Sequence, residues 1–147
     1  MAEFAFNPIQ LVQPGQNVIL DTVIPCNKGC VYHRDQSGIV ILRGVTNNCF
    51  ARYQVTFNAN IALPEDATVV VPISVALAID GEPVLTSRAI VTPAAVDEYG
   101  NVTSTAIITV PRGCCFTVAM ENTSEVVDGA APAINVQNAN LTVTRIA

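Results

Sequence analysis

The stretch FARYQVTFNANIAL, residues 50–63, alternates without a break. Tyr53, Val55, Phe57, Ile61 and Leu63 are apolar, while Arg52, Gln54, Thr56, Asn58 and Asn60 between them are polar. Neighbouring side chains of a strand point to opposite faces, so this pattern predicts a strand with one core face and one outer face. In TVVVPISVALAID, residues 68–80, Val69, Val71, Ile73, Val75, Leu77 and Ile79 are large and apolar, and Ser74, Ala76 and Ala78 are small. The same alternation predicts further strands at about 17–24, 37–45, 83–92, 101–110, 113–122 and 133–146. LPED, DGEP, DEYGN, PRG and VDGAAP supply the turns between them.

Composition agrees. Valine, isoleucine and threonine, the β-branched residues that suit pleated surfaces, make up nearly a third of the 147 residues. The length is that of one domain with a sizeable core. Strands at this spacing predict an all-β sandwich, with a jelly roll among its forms. Residues 1–16, with Phe4, Phe6, Ile9 and Leu11 irregularly spaced around Pro8 and Pro14, are read as an N-terminal arm with apolar anchors. An edge strand of the same sandwich is the alternative. The jelly roll proper is then 17–147.

The net charge is −5, and six of the seven basic residues are arginines with no stripe to meet phosphates. No nucleic-acid partner is expected. The opening MAEFAFNPIQ lacks a basic then apolar leader, and no apolar run is long enough for a membrane helix. Neither a secretion signal nor a membrane partner is expected.

Chemistry has few places to reside. Cys26, Cys30, His33 and Cys49 are the candidates for a zinc site, although a second tight cysteine pair is missing. A short disulfide loop between Cys26 and Cys30, or plain thiols, fits that spacing better. Within CCFTVAMEN, Cys114 is expected to point to the core with Phe116 and Val118. Cys115 is expected on the other face, a candidate for a disulfide between chains. His33, Asp35 and Ser37 are too close along one turn to build a nucleophilic triad. Asp97, Glu98 and Asn101 could offer oxygens to calcium, but they read first as a turn. No metal, no cofactor and no catalysis are expected. A glycan-binding module would want an aromatic platform, and the chain has no tryptophan.

The small residues Ser74, Ala76 and Ala78 suit close contact with another surface. They predict burial against sister copies, the alternative being cover from the chain's own N-terminal residues.

The tail VQNANLTVTRIA resembles the closing strand of bacterial and phage proteins with the tumour-necrosis-factor-like jelly roll, including the C-terminal domain of spore-surface collagen-like glycoproteins. HRDQSGIVILRG, FARYQVTFNANIALPE, DGEPV, VTPAAV and VPRGCCFTVAMENTS resemble a group of short proteins from gut clostridia and their phages. The resemblance implies a homo-oligomer, a trimer about a threefold axis. Leu141 to Ile146 would lie in the inner sheet, with Leu141 and Val143 on one side and Thr142 and Thr144 on the other. It implies an adhesive, decorating or capping role at a surface. Together with the missing leader, the few charges, the dense β core and the apolar arm, this leads to the expectation of a structural protein on a virion, as a head-decoration or fibre-knob subunit held to the capsid by the N-terminal arm. A spore or cell-surface appendage is the alternative. The Gly-X-Y stalk of the spore glycoproteins is absent.

Overall fold

The computed structural model describes residues 2–24, 31–34, 36–126 and 129–147. Among these residues twelve strands follow one another: β1 (Ala2–Phe6), β2 (Gln10–Val12), β3 (Thr22–Ile24), β4 (Val31–His33), β5 (Val40–Arg43), β6 (Phe50–Ala62), β7 (Ile73–Ile79), β8 (Glu82–Pro83), β9 (Ala89–Val91), β10 (Gly100–Pro111), β11 (Cys115–Asn122) and β12 (Ile134–Arg145). A single 3-10 turn, Leu85–Ser87, is the one helical element among the described residues. The first sheet runs β10-β6-β12-β1-β3, with β2 paired to the start of β12. The second runs β4-β5-β11-β7-β8, with β9 also on β7. Every strand pair is antiparallel. This is a jelly-roll β-sandwich.

The alternation in 50–63 does what it predicts. Tyr53, Val55, Phe57 and Ile61 are fully buried between the sheets, facing Ile73, Val75 and Leu77 of the opposite layer. The Tyr53 hydroxyl donates to the Arg43 carbonyl oxygen, which satisfies the polar end of a ring otherwise sealed in the core. Along β12, Ile134 and Val136 face inward, then an irregularity between Gln137 and Asn140 resets the phase. Asn138 takes φ 52° there, and Ala139, Leu141 and Val143 then face the core. One extra residue keeps both halves of the strand apolar-in.

The connections between layers are tight where glycine allows. A side chain on Gly44 would place its Cβ 2.0 Å from the Pro111 carbonyl oxygen. The β5–β6 and β10–β11 connections therefore run against each other at one end of the sandwich.

Two expectations need correcting. The described part of the expected arm, residues 2–16, is not apart from the sandwich. β1 lies inside the first sheet, hydrogen-bonded to β12 on one side and β3 on the other, and Phe4 is 1% exposed. Ala2 and Phe4 alternate toward the core, but five residues give too short a run to stand out beside two prolines. Phe6 is half-buried, whereas Ile9 and Leu11 are exposed.

The second correction concerns β7. Its small face is not left for a sister copy: Ala76 is 0% and Ala78 2% exposed within the single chain. Ala119 and Glu121 of β11 lie directly opposite them. Ser74 donates its backbone N–H to the Ser124 hydroxyl and exchanges a hydroxyl hydrogen bond with Thr123. Arg88 Nε donates to the Ser74 hydroxyl, and its guanidinium pairs with Glu125 at 2.9 Å. The expected 83–92 strand breaks into β8, the 3-10 turn and β9, because this segment turns along the β7 edge. The groups bonded to Ser74 lie C-terminal to β7, while N-terminal residues 15–18 pair along β11 beside Glu121.

Candidate functional site

The even residues of β6 and the odd residues of β10 share the outer face of the first sheet with Asn140, Thr142 and Thr144 of β12. The register sets Thr142, Thr56 and Thr105 in one row across three strands, and Asn140, Asn58 and Thr103 in the next. The polar groups bond one another. Thr56 and Thr105 hydroxyls lie 2.9 Å apart. Asn101 Nδ2 donates to Asn58 Oδ1 at 2.8 Å and to Asn60 Oδ1 at 3.1 Å, and the Thr103 hydroxyl donates to Asn58 Oδ1 at 2.9 Å. Cross-strand pairs of this kind contribute about 0.2–1 kcal/mol each.

Along these rows the charged side chains are Arg52 at one end and Glu3 on β1, opposite Thr142. A face kept only for water commonly carries many lysines and glutamates; this one carries amides and hydroxyls. Apolar residues bound it. Ile107, opposite Gln54, is 63% exposed, and Ile146 and Phe50 are exposed beyond it. Leu11, opposite Asn135, is exposed at the other end. Charge-poor centres are typical of protein–protein interfaces.

The sequence-derived interface residues divide accordingly. Thr142 and Thr144 lie half-buried on this face, and Leu11 borders it. Leu141 and Val143 point the other way, into the core, as do Phe4, Ser74, Ala76 and Ala78 into the body of the chain. Ile9 and Phe6 lie outside the rows. Sequence reasoning missed Thr56, Asn58, Asn101, Thr103, Thr105 and Ile107. The signal was available: Arg52 apart, the outer half of each long alternation lacks charge.

Of the cysteines, Cys26 and Cys30 lie outside the described residues, so the zinc and short-loop readings on them do too. Cys49, Cys114 and Cys115 are all free and exposed. Cys114 was expected in the core; instead β11 begins at Cys115, and Cys114 closes the turn after β10 by donating to the Pro111 carbonyl oxygen. Gly113 at φ 80° makes that turn, so Cys114 precedes the strand, while Phe116, Val118 and Met120 keep the core face the sequence predicts. Among the described residues, no three His, Cys, Asp or Glu side chains are placed to hold a metal.

His33 stacks on Phe4, ring centroids 5.2 Å apart. Its Nε2 lies 2.8 Å from the Ser37 carbonyl oxygen, so that nitrogen carries the proton, while buried Nδ1 has no partner. The Ser37 hydroxyl donates to the Arg34 carbonyl oxygen and not to the imidazole. A nucleophile–base pair is therefore not formed here. An open cleft of about 430 Å³ lies between residues 63–71 and 130–133. It offers one carboxylate, Asp66, among Leu63, Pro64, Val69, Val71 and alanines, and no aromatic face for a sugar. At the same end, burial raises the Tyr99 phenol above its usual range and the Asp97 carboxylate adds to the rise.

No protein-family model matches the chain, and no curated protein matches it in sequence. Solved structures match it in fold. The Eiger TNF of S. frugiperda is 14% identical over 99% of this chain and 91% of its own, with a TM-score of 0.66. The globular domain of a zebrafish complement 1qA protein is 13% identical over 99% of this chain and 96% of its own, with a TM-score of 0.63. The chain thus shares the jelly-roll sandwich of TNF-like and C1q-like domains.

Proposed function

We propose that this protein is a non-enzymatic structural subunit that associates with copies of itself, as a trimer, through the outer face of the first sheet. The observation that carries the proposal is the row of uncharged side chains from Thr142 through Thr56 to Thr105, in which the Thr56 and Thr105 hydroxyls bond each other, bordered by exposed Ile107. Amides and hydroxyls that already bond one another lose less on being covered than groups bonded only to water. The apolar residues at the ends of the rows supply burial. The likeness of the fold to TNF-like domains, whose jelly rolls assemble about a threefold axis, supports the same face and the same number.

The place we propose for this subunit is a virion surface, as a head-decoration or fibre-knob protein. Support comes from the resemblance of its segments to short clostridial and phage proteins. A spore or cell-surface appendage is the second reading, favoured by the three exposed thiols.

The test is the native mass of the purified chain under reductant, with Thr105→Arg as the disrupting variant. Three chains are expected for the natural protein. An arginine in the middle row should dissociate it by at least tenfold in affinity, the scale of an uncompensated charge at an interface. A single-chain mass for the natural protein, or a variant that assembles unchanged, would overturn the reading.

A further inference from the structure

Three exposed thiols stand at one end of the sandwich on two connections that are fixed to each other. Cys49 precedes Phe50, which pairs with Pro111 in the first sheet, and Arg112 donates its N–H to the Cys49 carbonyl oxygen at 2.9 Å. Cys114 accepts from the Gly44 N–H at 2.8 Å, and Gly113 donates to the Gly44 carbonyl oxygen at 3.1 Å. Cys115 opens β11 in the second sheet, opposite Arg43. Cys49 therefore belongs to the layer of the first sheet, and Cys114 and Cys115 to the layer of the second. Each thiol is held outward on a backbone that is already hydrogen-bonded, and none is joined to another within the chain.

We infer that these thiols are a covalent seam between copies of this chain. Resting on the assembly proposed above, Cys49 of one copy pairs with Cys114 or Cys115 of the next. In a cyclic assembly the contact is heterologous: one surface of each copy meets a different surface of its neighbour. A thiol on the first-sheet layer then faces a thiol on the second-sheet layer, and three such bonds close a ring. Two protein thiols lose two protons and two electrons to a low-molecular-weight disulfide. One S–S bond forms between chains, and the reagent leaves as two thiols. Reduced surroundings keep the seam open and oxidising ones close it.

The experiment treats the full chain with oxidised glutathione and compares non-reducing electrophoresis with native mass under reductant. A covalent trimer and nothing larger is expected. Cys49→Ser should abolish it, and so should Cys114→Ser combined with Cys115→Ser. Circular dichroism and native mass should stay those of the natural protein, because all three side chains are exposed. Chains that run singly after oxidation while the native mass is threefold would overturn the seam and leave the assembly standing. So would cross-links that survive Cys49→Ser, or a ladder extending beyond three. A native mass of one chain would remove the assembly itself, and the seam with it.

Discussion

Glu121 lies across the ladder from Ala76 and is bridged on its other side by Asn17. Burial raises its carboxyl above the usual range, and the neighbouring Glu82 carboxylate adds to the rise. The folded chain thus holds this proton more tightly than the unfolded chain. Its contribution is fully present below the unfolded pKa and is lost as pH climbs through the raised folded value. Glu121→Gln should therefore stabilise by roughly 0.5 kcal/mol at neutral pH, the scale of a partly exposed substitution, and by nothing once the carboxyl is protonated. Urea midpoints of the two proteins across that range check it; a constant difference would point to packing and not to the proton. At this scale the sequence misleads most at Cys114. One left-handed glycine keeps Cys114 in the turn, so the strand starts two residues after its predicted start and the thiol turns from core to solvent.

At the scale of elements, the long strands were legible and the short ones were not. β6, β10 and β12 each carry many cycles of alternation, and their predicted bounds lie close to the observed ones. β1 offers only Ala2 and Phe4, and no local pattern reveals that its backbone sits between β12 and β3. The surroundings of Ser74 are equally nonlocal, since they depend on Arg88, Thr123 and Ser124 meeting it in space. Phe4 decides between a docking arm and a core strand. Phe4→Ala should cost about 3–5 kcal/mol, as for a buried aromatic. Denaturant unfolding of the isolated protein measures this, and a loss below about 1 kcal/mol would return the segment to the surface.

For the molecule as a whole, sequence and structure agree on a sandwich, and the resemblance in the tail agrees with the fold comparisons. The face proposed for assembly was half legible. Thr142 and Thr144 were placed on it by analogy, while its centre on β6 and β10 becomes visible only when register sets their outer residues side by side. That face is nearly free of charge, so its association should respond little to screening. Native mass should be the same in dilute buffer and at about 1 M salt, where the Debye length falls to roughly 3 Å. Dissociation on adding salt would mean that charged surfaces elsewhere hold the copies together.

β1 and β12 lie side by side, with Ala2 opposite Val143, and the Ala147 carbonyl oxygen accepts from the Arg52 N–H near Cys49. Anything joined to either end of the described chain would leave from the same pole, beside the thiols. Tether and lock would then share one side of the particle. The loops around Pro64, Asp97 and Ala131, at the far pole, would be free to meet whatever the particle encounters.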